Sequence, residues 1–183
     1  MTERHATLMV ANTRDLTAIG LLVARILCGG IFLVAALPKI QSPGHFADAV
    51  RAFHLLPPSL VMPFAFVVPW LELLVAVYLL AGFMTRVGAI GAIVLLGAFV
   101  AALLDALMTG NTAHACGCFG SGVDANPILT FLAGGNTITA WDVIRDVILM
   151  GLSGLIFWFG PGAISVEELM ARRHDEAWED RAS

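Results

Sequence analysis

Two thiols separated by one glycine, Cys116-Gly117-Cys118, are the residues of this chain best suited to chemistry. Residues two apart in a bent chain fall within the Cα separation that a disulfide tolerates, about 4.4–6.8 Å. Gly117 relaxes the backbone enough for that ring to close. The ring is tight, and strain raises the reduction potential of a disulfide and makes it exchange-competent. His114, two residues upstream, is placed to stabilise a thiolate or to relay a proton. Thiol-disulfide exchange at Cys116 and Cys118, assisted by His114, is the reading these residues favour. Two others stand beside it. A structural bridge closing so short a loop constrains little of the unfolded chain and stabilises weakly. A zinc site takes about four ligands, and His114 with Asp124 completes one poorly.

The elements that must position this pair are apolar helices. Hydrophobic residues make up 58% of the 183 and charged residues 13%, against roughly a quarter charged in a soluble domain, so a lipid bilayer is the expected surrounding. Four windows, 16–37, 60–83, 87–108 and 140–160, approach or exceed the roughly 20 apolar residues needed to span the hydrocarbon as a helix. The expected fold is therefore all-α, a polytopic membrane protein with a four-helix transmembrane bundle. Residues 1–15 precede it, 16–163 form the membrane domain and 164–183 form a tail. No stretch remains for a separate soluble core. Arg25 interrupts the first window and no small-residue cleavage site follows it, which argues against a signal peptide. A net charge of −4 without a basic stripe argues against a nucleic-acid partner.

Arginine and lysine in short loops set orientation. Arg4, Arg14, Arg86, Arg172, Arg173 and Arg181 fall on one side of the expected bundle, and only Lys39 and Arg51 on the other. Both termini are accordingly expected in the cytoplasm of a bacterial inner membrane, with the Cys116-Cys118 loop periplasmic, where a disulfide persists. Ser42-Pro43, followed by Phe46, Val50 and Phe53 at helical spacing, predicts a short outer amphipathic helix with His45, Asp48 and Arg51 towards water. Ser165-Val166-Glu167-Glu168 fits a capping box that opens a cytoplasmic tail helix. Pro69 predicts a kink in the second span. Gly88, Ala92, Gly151 and Gly154 are candidates for close helix approach.

Ionisable residues deep in a span usually face a partner or a cavity. Counted at about 1.5 Å per residue, Arg25 and Glu72 lie at similar depths and are expected to pair. The pair is either a register-fixing ion pair or a site of proton or quinone chemistry. Asp105, Asp142, Arg145 and Asp146, with Lys39 at the same level, form a further polar group at the mouth of the cysteine loop. That group is either a solvated ring or the floor of a site. Cys28 is expected to be a packing residue.

Arg25, the stretch from Phe32 to Lys39-Ile40, Pro69-Trp70-Leu71-Glu72 and Cys116-Gly117-Cys118-Phe119-Gly120 together resemble the DoxX-like superfamily, and within it the methylamine-utilisation MauE branch. The similarity spans roughly residues 16–160. It implies a four-helix membrane protein that works with a periplasmic thioredoxin-like partner in forming or isomerising disulfides of exported client proteins. Quinone-linked chemistry is implied for other members of the superfamily, which makes a membrane quinone a candidate electron acceptor. A quinone-coupled disulfide generator generally uses a second cysteine pair, and only Cys28 is left here, so either the partner supplies the missing thiols or this protein only docks and orients the partner. The rival reading is a non-catalytic subunit that stabilises a larger respiratory or maturation complex, with the cysteines as a staple.

Overall fold

A computed structural model describes residues 2–110 and 138–160, all of them helical or in short connections. Among the described residues five helices follow one another: α1, Thr2–Gln41; α2, Pro43–Ala52; α3, Pro58–Ala81; α4, Thr85–Thr109; and α5, Ala140–Phe159. The tail capping box at Ser165, together with His114, Cys116 and Cys118, lies outside the described residues.

Among the described residues, three helical segments have the length and apolar composition to cross a membrane: Thr17–Gln41, Pro58–Ala81 and Thr85–Thr109. Their outward faces carry Ile19, Val23, Ile26, Phe66, Val67, Trp70, Val77, Ile90 and Val94, all exposed. So many large apolar side chains facing outwards are stable only when lipid covers them, and the chain is a membrane protein. Helix α5 has 20 residues and carries Asp142, Arg145 and Asp146 near its start. Its outward face is nonetheless apolar, with Ile144, Val147, Ile148 and Leu155 exposed.

The four long helices close a ring in which α1 packs along α3, α3 along α4, α4 along α5 and α5 back on α1. Its core joins Cys28 and Phe32 of α1 to Val75 and Leu79 of α3, Ala92 and Leu96 of α4, and Leu149 and Ile156 of α5. Helix α2 folds against the first half of α3, burying Phe46 and Ala47 with Val61, Ala65 and Val68. His45, Asp48 and Arg51 are exposed on its other face, as its periodicity requires.

Helix α1 is longer than its apolar window at both ends. It begins at Thr2 and continues through Pro38 to Gln41, because hydropathy marks where lipid contact stops and hydrogen bonding does not stop with it. Helix α3 is continuous across Pro63 and Pro69.

The close approaches match expectation in part: a Cβ at Gly88 would stand 3.0 Å from Tyr78 Cβ, so α4 meets α3 there, and Ala92 is buried in the core. A Cβ at Gly151 or Gly154 would meet nothing within 4 Å, so neither glycine lies at a helix contact among the described residues. Gly29 does: a Cβ there would stand 2.7 Å from Leu80 Cγ and 3.3 Å from the carbonyl oxygen of Ala76. Gly29→Leu is therefore expected to separate α1 from α3 and to destabilise the protein by about 1–3 kcal/mol. Gly30→Ala, where a Cβ meets nothing within 4 Å, is expected to stabilise it by about 0.5–1 kcal/mol through lower unfolded-chain entropy. Thermal unfolding in a mild detergent compares the two.

Candidate functional site

Side chains on an α-helix lean towards its N-terminus. On the antiparallel pair α1 and α3, a residue late in α1 therefore reaches down the bundle while one in the middle of α3 reaches up. Lys39, in the last turn of α1, and Glu72, in the second half of α3, meet in this way, with Nζ donating to Oε1 at 2.5 Å. Both are fully buried. The ammonium also stands 5.0 Å from the ring centroids of Phe46 and Phe99, within cation-π range of each. Lys39 is thus held by one carboxylate and two aromatic faces from three helices.

This corrects the expected pairing of Glu72 with Arg25. Arg25 is buried and its Nε donates to the carbonyl oxygen of Leu79 at 3.0 Å, in the last turn of α3. Leu79 lies seven residues beyond Glu72, about 10 Å along the helix. Residue 16 is not the end of the helix, since α1 continues to Thr2, so distance from that residue does not give the depth of Arg25. Arg25 instead serves the α3 C-terminus, where carbonyls lack intrahelical donors and a cation is favoured. The next residue but two, Gly82, ends α3 with φ +67° and donates its N–H to Tyr78 at 3.0 Å. A Cβ on Gly82 would fall on the Arg25 guanidinium. Gly82→Ala is expected to cost the left-handed backbone penalty of about 1–2 kcal/mol plus displacement of Arg25. Gly110→Ala isolates the backbone part, since Gly110 has φ +73° and open space around it; Gly82→Ala should lower the unfolding midpoint more.

On α5, Asp142, Arg145 and Asp146 are all buried, which overturns the reading of them as a solvated ring. Asp142 Oδ2 accepts from the N–H and the hydroxyl of Thr139, each at 2.9 Å, and so opens the helix. Its Oδ1 accepts from Arg145 Nη1 at 3.3 Å. Arg145 Nε and Nη2 both donate to Asp146 Oδ1, at 3.0 and 2.9 Å. The spacing that puts these residues on one face of α5 turns that face inwards. Asp105 is half-buried on α4, where its backbone carbonyl accepts from Thr109 Oγ1 at 2.8 Å. Cys28 packs in the core, accepting from Ser153 Oγ at 3.9 Å, in keeping with a packing role.

A cavity of about 20 Å³ separates Glu72 from Arg145 and Asp146, with Phe32, Leu96 and Phe99 among its other walls. The charged groups of α1, α3 and α5 therefore face one another in the centre of the ring.

Residues 17–159 of this chain match the family described as Methylamine utilisation protein MauE. The chain belongs to the MauE family. It is 32% identical to the methylamine utilization protein MauE of Paracoccus denitrificans over 140 residues, 76% of this chain and 69% of that protein. It is 40% identical to the MauE of Methylorubrum extorquens over 89 residues, 49% of this chain and 48% of the relative. Against the MauE of Methylophilus methylotrophus the figures are 38% over 88 residues, 48% and 46%. These last two matches each span about half the length of the relative. No solved structure matches the chain. The MauE match encloses Lys39, Glu72 and the α5 triad as well as Cys116 and Cys118.

Within this MauE-family bundle, Arg25 and Glu72 do not fit a quinone head group. They occupy separate places, and the cavity beside Glu72 admits about one water molecule, not a ring. A larger pocket of about 170 Å³ lies between α2 and α4, walled by Phe46, Val50, Phe53, Phe64, Phe99 and Leu103 among others. Among the described residues all its lining side chains are apolar, and none of these can donate to a quinone carbonyl.

Proposed function

We propose that this protein is the membrane component of an extracytoplasmic thiol-disulfide system that serves methylamine utilisation. Cys116 and Cys118 exchange a disulfide with a thioredoxin-like periplasmic partner during maturation of exported proteins. The observation that carries this reading is the Cys116-Gly117-Cys118-Phe119-Gly120 segment standing between α4 and α5 in a chain of the MauE family. In the exchange, a partner thiolate attacks one sulfur of the Cys116-Cys118 bond and forms a mixed disulfide. The partner's second thiol then breaks that bond, leaving the disulfide on the partner and two electrons and two protons on Cys116 and Cys118. His114, two residues before Cys116 in the sequence, donates or accepts one of those protons. Re-oxidation of the thiols falls outside Arg25 and Glu72, and no quinone step is assigned to them.

The reading includes α5 as a fourth span. Its three charges are buried against α1 and α4 and its outer face is apolar, so lipid meets no charge along it. With four spans and the arginine distribution, both termini lie in the cytoplasm of the inner membrane and the thiols in the periplasm. An impermeant thiol reagent applied to reduced, intact cells should label Cys116 and Cys118; labelling only after lysis would overturn the orientation.

The exchange itself is tested by single substitutions. Cys116→Ser or Cys118→Ser leaves one thiol able to start the reaction and none to resolve it. One of the two should accumulate a mixed disulfide with a periplasmic protein, seen as a reductant-sensitive band shift. Absence of such a species from both variants would favour the rival reading, a non-catalytic subunit with the cysteines as a staple.

A further inference from the structure

Five buried ionisable side chains converge from three helices: Lys39 on α1, Glu72 on α3, and Asp142, Arg145 and Asp146 on α5. Three carboxyls face two cations, so the fully ionised group carries one excess negative charge. Water shields none of these residues, and an uncompensated charge in such a place costs several kcal/mol. The packed neighbours supply nothing further: among the described residues, α4 contributes Leu96 and Phe99 to the cavity, and α2 contributes only the Phe46 ring beneath Lys39.

Geometry shows where the imbalance is placed. Lys39 satisfies Glu72 Oε1, but Glu72 Oε2 is buried without a hydrogen-bond partner among the described residues. A buried oxygen left in that state loses its hydration and gains nothing in return. Glu72 and Asp146 both line the cavity of about 20 Å³, and a void of about 10–15 Å³ or more holds a water where polar groups can bind it. Glu72, Arg145 and Asp146 supply the polar groups that line it, among walls that are otherwise apolar.

We propose that this cavity is a proton-binding site, in which one water molecule bridges Glu72 and Asp146 and one proton is shared along that bridge. A hydronium ion from the aqueous phase delivers the proton to a carboxylate and leaves as water. Only O–H bonds form and break, and no electrons move. The loaded site supplies Glu72 Oε2 with its missing partner and brings the five side chains to zero net charge. It stands apart from the thiol exchange, and Cys116→Ser/Cys118→Ser protein must retain it.

The test is infrared spectroscopy of the full-length protein in lipid nanodiscs at neutral pH. The wild type should show one protonated-carboxyl band per chain that shifts in D2O. Glu72→Gln and Asp146→Asn each remove the excess negative charge with little change of shape, and each should lose the whole band. Persistence of the band in either variant places the proton elsewhere and overturns the proposal. Should neither variant fold, the wild-type spectrum decides alone: a bundle with no protonated carboxyl at neutral pH contradicts it.

Discussion

Glu72→Leu is expected to destabilise the bundle by about 3–5 kcal/mol, the usual cost of stranding one member of a buried ion pair. The Lys39 ammonium would remain between the rings of Phe46 and Phe99, with cation-π attraction worth about 0.5–2 kcal/mol but no carboxylate. That attraction offsets only part of the loss. The pair's own net contribution is much smaller, because two ions had to leave water to form it. Lys39→Met/Glu72→Leu should therefore recover most of the stability that Glu72→Leu loses. A thermal or denaturant unfolding series in detergent measures all three proteins. A double variant as unstable as the single would mean that Glu72 acts through something other than Lys39. Since a buried pair is weak evidence for stability, its more telling effect is on register. Lys39 and Glu72 fit together at one axial offset of α1 against α3, and that offset also sets Arg25 on the end of α3.

The largest functional effect is expected from Cys116→Ser/Cys118→Ser. With both thiols gone, disulfide exchange with the partner should fall to background, and exported client proteins should accumulate as free thiols. The unfolding midpoint should move little, because a bridge across so short a loop restrains little unfolded chain. Measuring client thiol states by alkylation together with the unfolding midpoint separates the two readings. Loss of exchange at constant stability supports catalysis. Unchanged client thiols support a staple, whatever the small shift in midpoint.

The helical framework is legible in the sequence because lipid imposes it: apolar windows of spanning length mark α1, α3, α4 and α5, and Ser42-Pro43 with Phe46 marks α2. The ends of α1 are not legible in the same way, since its hydrogen bonding runs beyond the apolar window in both directions. The ion pairing is hidden in the sequence for a related reason. Depth counted from window ends compared Cα positions, whereas the lean of each side chain towards its helix N-terminus brings Lys39 down and Glu72 up. That directional rule was the available signal for Lys39. The inward turn of Asp142, Arg145 and Asp146 was half legible: their spacing places them on one face, but only packing against α1 and α4 decides that the face is buried. The glycines show the same limit. Gly29 and Gly154 look alike in sequence, and only the presence of Leu80 opposite one of them makes it a contact.

The proposed function is tested most directly by the midpoint potential of the Cys116-Cys118 couple in intact membranes, read by alkylation after equilibration with glutathione buffers. An exchange-competent pair should fall in the range of thiol-disulfide oxidoreductases, about −120 to −270 mV. A value below about −300 mV, the range of structural disulfides, would contradict exchange and leave the cysteines as a staple.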